Sequence, residues 1–158
     1  MDARMHYLYL LHSSYTKGVA VSSYDKAIVR SLEEWVLFRK YRDSAEDVES
    51  IAAALGVPRD EVTSYIHGWL GERFLSVRKR LRVHDAGELL LDHPEMTTAQ
   101  IARAVGFQDK SDFRRAFKDE TGYSPRFWRE NGGNRLRCRA TKILEACRSR
   151  CHARCTTS

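Results

Sequence analysis

The segment Ile51-Ala52-Ala53-Ala54-Leu55-Gly56 returns as Ile101-Ala102-Arg103-Ala104-Val105-Gly106, at an offset of 50 residues. After one extra turn residue the offset becomes 51, so Val62 answers to Phe113 and Ile66 to Phe117. A repeat of this size signals two copies of one supersecondary unit. In each copy a short apolar-periodic segment stops at a glycine, where a residue just past a helix end commonly needs positive φ. In the second copy a further helix fits Lys110 to Glu120, before Gly122 and Pro125 punctuate the chain. Two helices joined by so tight a turn form a helix-turn-helix, whose second helix can enter the DNA major groove.

The wheel of that second helix sharpens the reading. Phe113, Ala116 and Phe117 fall on one side and can anchor it to a core. At about 100° per residue, Lys110, Ser111, Arg114, Arg115 and Lys118 fall within an arc of roughly 140° on the other side. Asp112 and Asp119 lie at the far margin, so the pattern predicts a ridge kept clear of acids. Lys and Arg on such a ridge can neutralise phosphates, and Arg can fork onto a guanine edge. The same charges also suit an ordinary basic surface helix.

Ile101-Ala102, Gly106-Phe107, Ser111, Phe113, Arg115, Phe117-Lys118, Gly122 and Ser124-Pro125 together resemble the second helix-turn-helix of the AraC/XylS family of bacterial transcription regulators. The resemblance covers the chain from about Ser44 to Arg129. It implies an all-α, homeodomain-like fold with two helix-turn-helix units joined by a long linker helix. Phe74 to Leu91 is similar to that linker, with Phe74, Val77, Leu81, Arg82, Ala86, Leu89 and Leu90 at matching positions and Val77 where an aromatic is usual. The implied function is sequence-specific binding of double-stranded DNA in transcription regulation, often as an activator touching RNA polymerase. The implied site is Lys110, Ser111, Arg114, Arg115 and Lys118, with Arg115 the best placed for a base edge. Thr63, Ser64 and His67 are the weaker counterparts. No cofactor and no metal is implied.

The two copies differ on the reading face. Lys110, Ser111, Arg114, Arg115 and Lys118 become Arg59, Asp60, Thr63, Ser64 and His67, and the side-chain charge falls from +4 to 0 with His neutral. Gly68 weakens the helix, at roughly 1 kcal/mol relative to Ala. The second unit is therefore expected to supply most of the affinity. Tyr65 and Trp69 are expected in the core rather than stacked on bases. A chain that kept this fold while losing DNA, as a protein-interaction module, is the rival reading.

Around the units, residues 1–23 predict an irregular arm and Tyr24 to Tyr41 a helix, whose stripe Ile28, Leu32, Trp35 and Val36 covers the first unit or serves dimerisation. Asp43 and Ser44 offer N-caps to a helix over Ala45 to Leu55. Arg78-Lys79-Arg80 suits either phosphates or a solvated face. His93-Pro94 ends the linker, and Thr97 with Gln100 forms a capping box. Phe127 and Trp128 close the core, and Asn131-Gly132-Gly133-Asn134 is a break. The organisation expected is thus an arm and packing helix over 1–43, the first unit with linker over 44–92, the second unit over 93–130 and a tail over 131–158.

The net charge of +6 does not support the DNA reading by itself. Residues 1–43 carry +2, residues 44–130 carry −2 and the tail carries +6, so the case rests on local arrangement. Cys138, Cys147, Cys151 and Cys155 also lie in the tail, at a spacing that matches no zinc-finger pattern. No apolar run reaches the ~20 residues of a membrane helix, and a cytoplasmic protein is expected. There is no phosphate-cradling loop, zinc-protease motif or nucleophile elbow, so an enzyme is not expected. His84, beside Asp85 and Glu88, reads as surface decoration rather than a base.

Overall fold

The computed structural model describes residues 4, 5, 7–9 and 23–132, with the side chains of residues 23, 24, 69 and 70 outside that description. The Cys-bearing tail and the Trp69 side chain therefore lie outside the described residues. The described chain is helical and without strands. In order come α1 (Ser23–Leu37), a 3-10 turn (Lys40–Arg42), α2 (Val48–Leu55), α3 (Arg59–Leu70), α4 (Phe74–Asp92), α5 (Thr98–Ala104), α6 (Lys110–Thr121) and α7 (Pro125–Glu130).

Local chemistry places most of these boundaries. Gly56, Gly71 and Gly122 end α2, α3 and α6 in the left-handed region that non-glycine residues rarely adopt. Thr97 and Gln100 make the reciprocal capping box of α5. Three expectations are corrected. The N-cap of α2 is Asp47, whose carboxylate accepts from the Ser50 amide, and not Asp43 or Ser44. α1 stops at Leu37 rather than Tyr41, because Arg39 turns the chain at φ 54 before the 3-10 turn. Of the arm expected to be irregular, the described residues are helical, and Tyr7 is buried in the first core.

Two apolar clusters sit on either side of the long helix α4. The first runs from Tyr7 through Ile28, Trp35, Tyr41, Ile51, Val62, Tyr65 and Ile66 to Leu81, so the stripe of α1 and Tyr65 both pack there. The second runs from Val83 through Ala86, Leu90, Ile101, Phe113 and Phe117 to Trp128. Each helix-turn-helix therefore owns a core, and α4 contributes one half to each.

The polar residues of α4 do what neither expectation for them described. Arg78 is buried, lies over the Phe74 ring at 4.9 Å, and donates to the Glu46 carbonyl. Lys79 and Arg80 reach Glu120 at 3.3 Å each, so this basic run is engaged by the protein's own groups. Asp85 is buried. It accepts from the Tyr41 hydroxyl at 2.8 Å and from Arg42 Nε at 2.7 Å. His84, Asp85 and Glu88 bring ligand atoms within 4.8 Å of one another. Arg42 and Arg39 already neutralise Asp85, and Arg4 meets Glu88, which leaves a poor seat for a cation.

Candidate nucleic-acid interface

Helix α6 is held by its aromatic side. Phe113 and Phe117 have no exposed surface. Phe107 meets Phe113 edge-on at 5.4 Å, Phe113 lies 5.7 Å from Phe117, and Phe117 meets Trp128 edge-on at 5.7 Å. Trp128 then donates from Nε1 to the Gly87 carbonyl in α4 at 3.2 Å. A chain of rings thus carries the linker's position to α6. Phe127, expected in the core beside Trp128, is instead 44% exposed and stacks on Tyr123.

The N-terminus of α6 is fixed by Asp109, whose carboxylate accepts from the amides of Ser111 at 2.7 Å and Asp112 at 2.9 Å. Those backbone bonds hold the Asp109 carboxyl below its usual range. Arg129 secures the other approach, donating to the Leu90 carbonyl at 3.2 Å and the Met96 carbonyl at 2.7 Å. The end of α4 and the entry to α5 are held by that one guanidinium.

Lys110, Ser111, Arg114, Arg115 and Lys118 are all exposed. One feature of the ridge differs from the sequence expectation. Arg115 Nη2 donates to Asp112 Oδ1 at 2.7 Å, so an acid does reach the ridge. Among the described residues, Lys110, Arg114 and Lys118 have no carboxylate partner.

The corresponding face of α3 presents Thr63, Ser64 and His67 to solvent. Its cation, Arg59, is taken by Glu49 at 3.1 Å, and the Thr63 hydroxyl donates back to the Arg59 carbonyl at 3.0 Å. The first face therefore offers less free positive charge than its sequence implies. The local sequence could not show the Glu49 pairing, because it joins two helices of the unit. Helix α4, with 19 residues, spans about 28 Å. Adjacent major grooves on one side of B-DNA lie about 34 Å apart.

Two helix-turn-helix units on one continuous linker helix, each with the outer face of its second helix exposed, define a helix-turn-helix regulator module. A family model described as a helix-turn-helix domain matches residues 51–131. The chain is 33% identical over 101 residues to the arabinose operon regulatory protein of Escherichia coli (strain K12), covering 64% of this chain and 34% of that protein. It is 36% identical over 83 residues to the protein of the same name from Salmonella typhimurium, covering 52% and 29%. Among solved structures, the C-terminal domain of AraT, a response regulator from Geobacillus stearothermophilus, matches with TM-score 0.60 and 27% identity over 72% of this chain and 88% of that one. The DNA-binding domain of AdpA, solved in complex with a target DNA, shares the fold at TM-score 0.58 and 23% identity, over 66% of this chain and 91% of that one.

The chain belongs to the AraC/XylS family of helix-turn-helix transcription regulators, a family of DNA-binding domains and not of enzymes. It spans about a third of the length of the arabinose operon regulators it matches. No helix among the described residues is long and apolar enough to cross a membrane.

Proposed function

We propose that this chain is a sequence-specific regulator of transcription that binds double-stranded DNA, with the second unit as its main reader. The observation that carries this reading is the ridge of α6. Lys110, Arg114, Arg115 and Lys118 are exposed along a helix whose opposite side is pinned by fully buried Phe113 and Phe117. A rigid mount matters because base-edge contacts require side chains held in register with the groove. Arg115 is the base-reading candidate, and Lys110, Ser111, Arg114 and Lys118 contact phosphate or neighbouring bases. Thr63, Ser64 and His67 add weaker contacts from the first unit. The working division is the arm and packing helix over 1–43, the reading units with their linker over 44–130, and a basic tail over 131–158. RNA polymerase is proposed as a further partner, and the cytoplasm as the place of action.

A salt titration on random duplex DNA tests the reading. Binding at low salt should fall as salt rises, because counterion release drives phosphate contacts. Arg114→Ala with Arg115→Ala should weaken binding about tenfold or more and lower the salt slope by about one, for the phosphate contact of Arg114. Little binding at low salt, or an unchanged slope in the double variant, favours a fold that serves protein interaction instead.

A further inference from the structure

The two apolar cores do not merge, since one ends at Leu81 and the other begins at Val83. Something besides apolar packing must fix how the units face each other. Arg80 stands at this boundary. Its Nη1 meets Glu72 Oε1 at 2.6 Å, and its Nε meets Glu120 Oε2 at 3.3 Å. Glu72 follows Gly71, the C-cap of α3, and Glu120 lies in the last turn of α6. One guanidinium therefore joins the C-terminal ends of both reading helices. Lys79 adds a second contact to Glu120, and Arg80 Nη1 also donates to the Tyr7 hydroxyl at 3.4 Å.

The side chains of Arg80, Glu72 and Glu120 are only 23%, 19% and 19% exposed, so solvent screens them less than surface pairs. Removing the guanidinium leaves Glu72 without this cation and Glu120 with Lys79 alone, so nothing ties the two carboxylates together. Glu72 Oε2 already lacks a partner, so its other oxygen depends on Arg80.

We propose that Arg80 is a positioning residue that sets the spacing and angle of the two reading helices, and hence which separation of DNA half-sites the chain accepts. The proposal rests on the DNA reading for its use. The linker's reach of about 28 Å is short of the groove repeat of about 34 Å, so either the units splay or the DNA bends. A tie between the ends of α3 and α6 removes the first option and leaves the bending to the DNA.

The test has two arms, both on the full chain. In the first, Cys138, Cys147, Cys151 and Cys155 are replaced by Ser, and spin labels are placed at Ala54→Cys and Ala104→Cys, both exposed. The label-to-label distance is measured without DNA. Arg80→Gln and, separately, Glu120→Gln should broaden or shift the distribution, and Arg80→Lys should restore part of it. In the second, binding is compared on a duplex selected from a random pool and on the same duplex with one base pair inserted between the two groove segments. One pair rotates the second segment by about 35°. The parent should lose about tenfold on the inserted duplex, and the Gln variants should lose less.

Distributions that stay unchanged in both Gln variants overturn the proposal. So does an unchanged spacing preference in a variant whose distances have broadened. Glu120→Gln keeps the assay decisive if Arg80→Gln fails to fold. A parent that binds no duplex refutes the DNA reading, and the distance arm then decides by itself whether Arg80 holds the units.

Discussion

Arg82 Nη1 donates to the carbonyl oxygen of Gly106 at 2.9 Å, joining the linker helix to the turn of the second unit. The same guanidinium donates through Nε to Tyr41 O at 2.6 Å and through Nη2 to Arg42 O at 3.2 Å. The N-terminal 3-10 turn, the linker and the second turn thus converge on one side chain. Burial and three carbonyl acceptors make an arginine the fitting residue, because its rigid fork can serve several acceptors at once.

Gly106 is where that convergence leaves no room. Its φ is 96, and a Cβ there would lie 2.1 Å from the Arg42 carbonyl oxygen. Gly106→Ala is expected to cost roughly 1–3 kcal/mol from backbone strain, with the clash added. Gly122 also has positive φ but nothing within 4 Å of its would-be Cβ. Gly122→Ala should therefore cost only the strain. Urea unfolding of both variants checks this, and equal losses would remove crowding as the reason for Gly106.

Asp112 both orients and neutralises Arg115. Asp112→Asn takes one negative charge from the ridge and loosens the guanidinium. Affinity for random duplex should rise and base discrimination should fall. Competition between a selected duplex and random DNA reads both effects. A loss of affinity for both would show that Asp112 serves the fold instead.

The Asp109 cap gives the helix an acid-sensitive end. Backbone bonds from Asp112 and Ser111 hold its folded pKa below the ordinary carboxyl value. A depressed carboxyl pKa contributes stability above the unfolded pKa, about 3.9, and that contribution is lost as pH falls through the lowered folded value. Thermal unfolding of Asp109→Asn and the parent should differ near neutral pH, and the difference should narrow through that acid window. A constant difference would mean that the carboxylate charge is not what caps α6.

Phe117 touches both Phe113 and Trp128 and has no exposed surface. Phe117→Ala should destabilise the second unit by about 3–5 kcal/mol, the usual range for a fully buried phenylalanine. Because each unit has its own core, the loss should appear first as faster amide exchange in α5, α6 and α7. Uniform acceleration that includes α2 and α3 would show that the units unfold together.

Some features were legible because their causes are local. The capping box of Thr97 and Gln100 lies within four consecutive residues, and helix ends at Gly56 and Gly122 follow from backbone sterics. The apolar period of α6 identified Phe113, Ala116 and Phe117, all buried. The Asp112 to Arg115 pair was missed although its i, i+3 spacing was available, because the wheel placed the acid at the margin and long side chains bridge such margins.

The residues that the linear chain misrepresents are those whose partners lie far along it. Arg78, Arg80, Arg82 and Asp85 look alike as charged positions of one helix. Their environments are set by Glu46, Glu72, Glu120, Tyr41, Arg42 and Gly106, brought in from other elements. The amino-acid order determined the repeat, the helices and the side of α6 that faces inward, because periodicity, capping and glycine sterics act over a few residues. Only the folded arrangement decided which charges are spent inside the protein and which remain free for a partner, because a charge's fate depends on the groups that packing places around it.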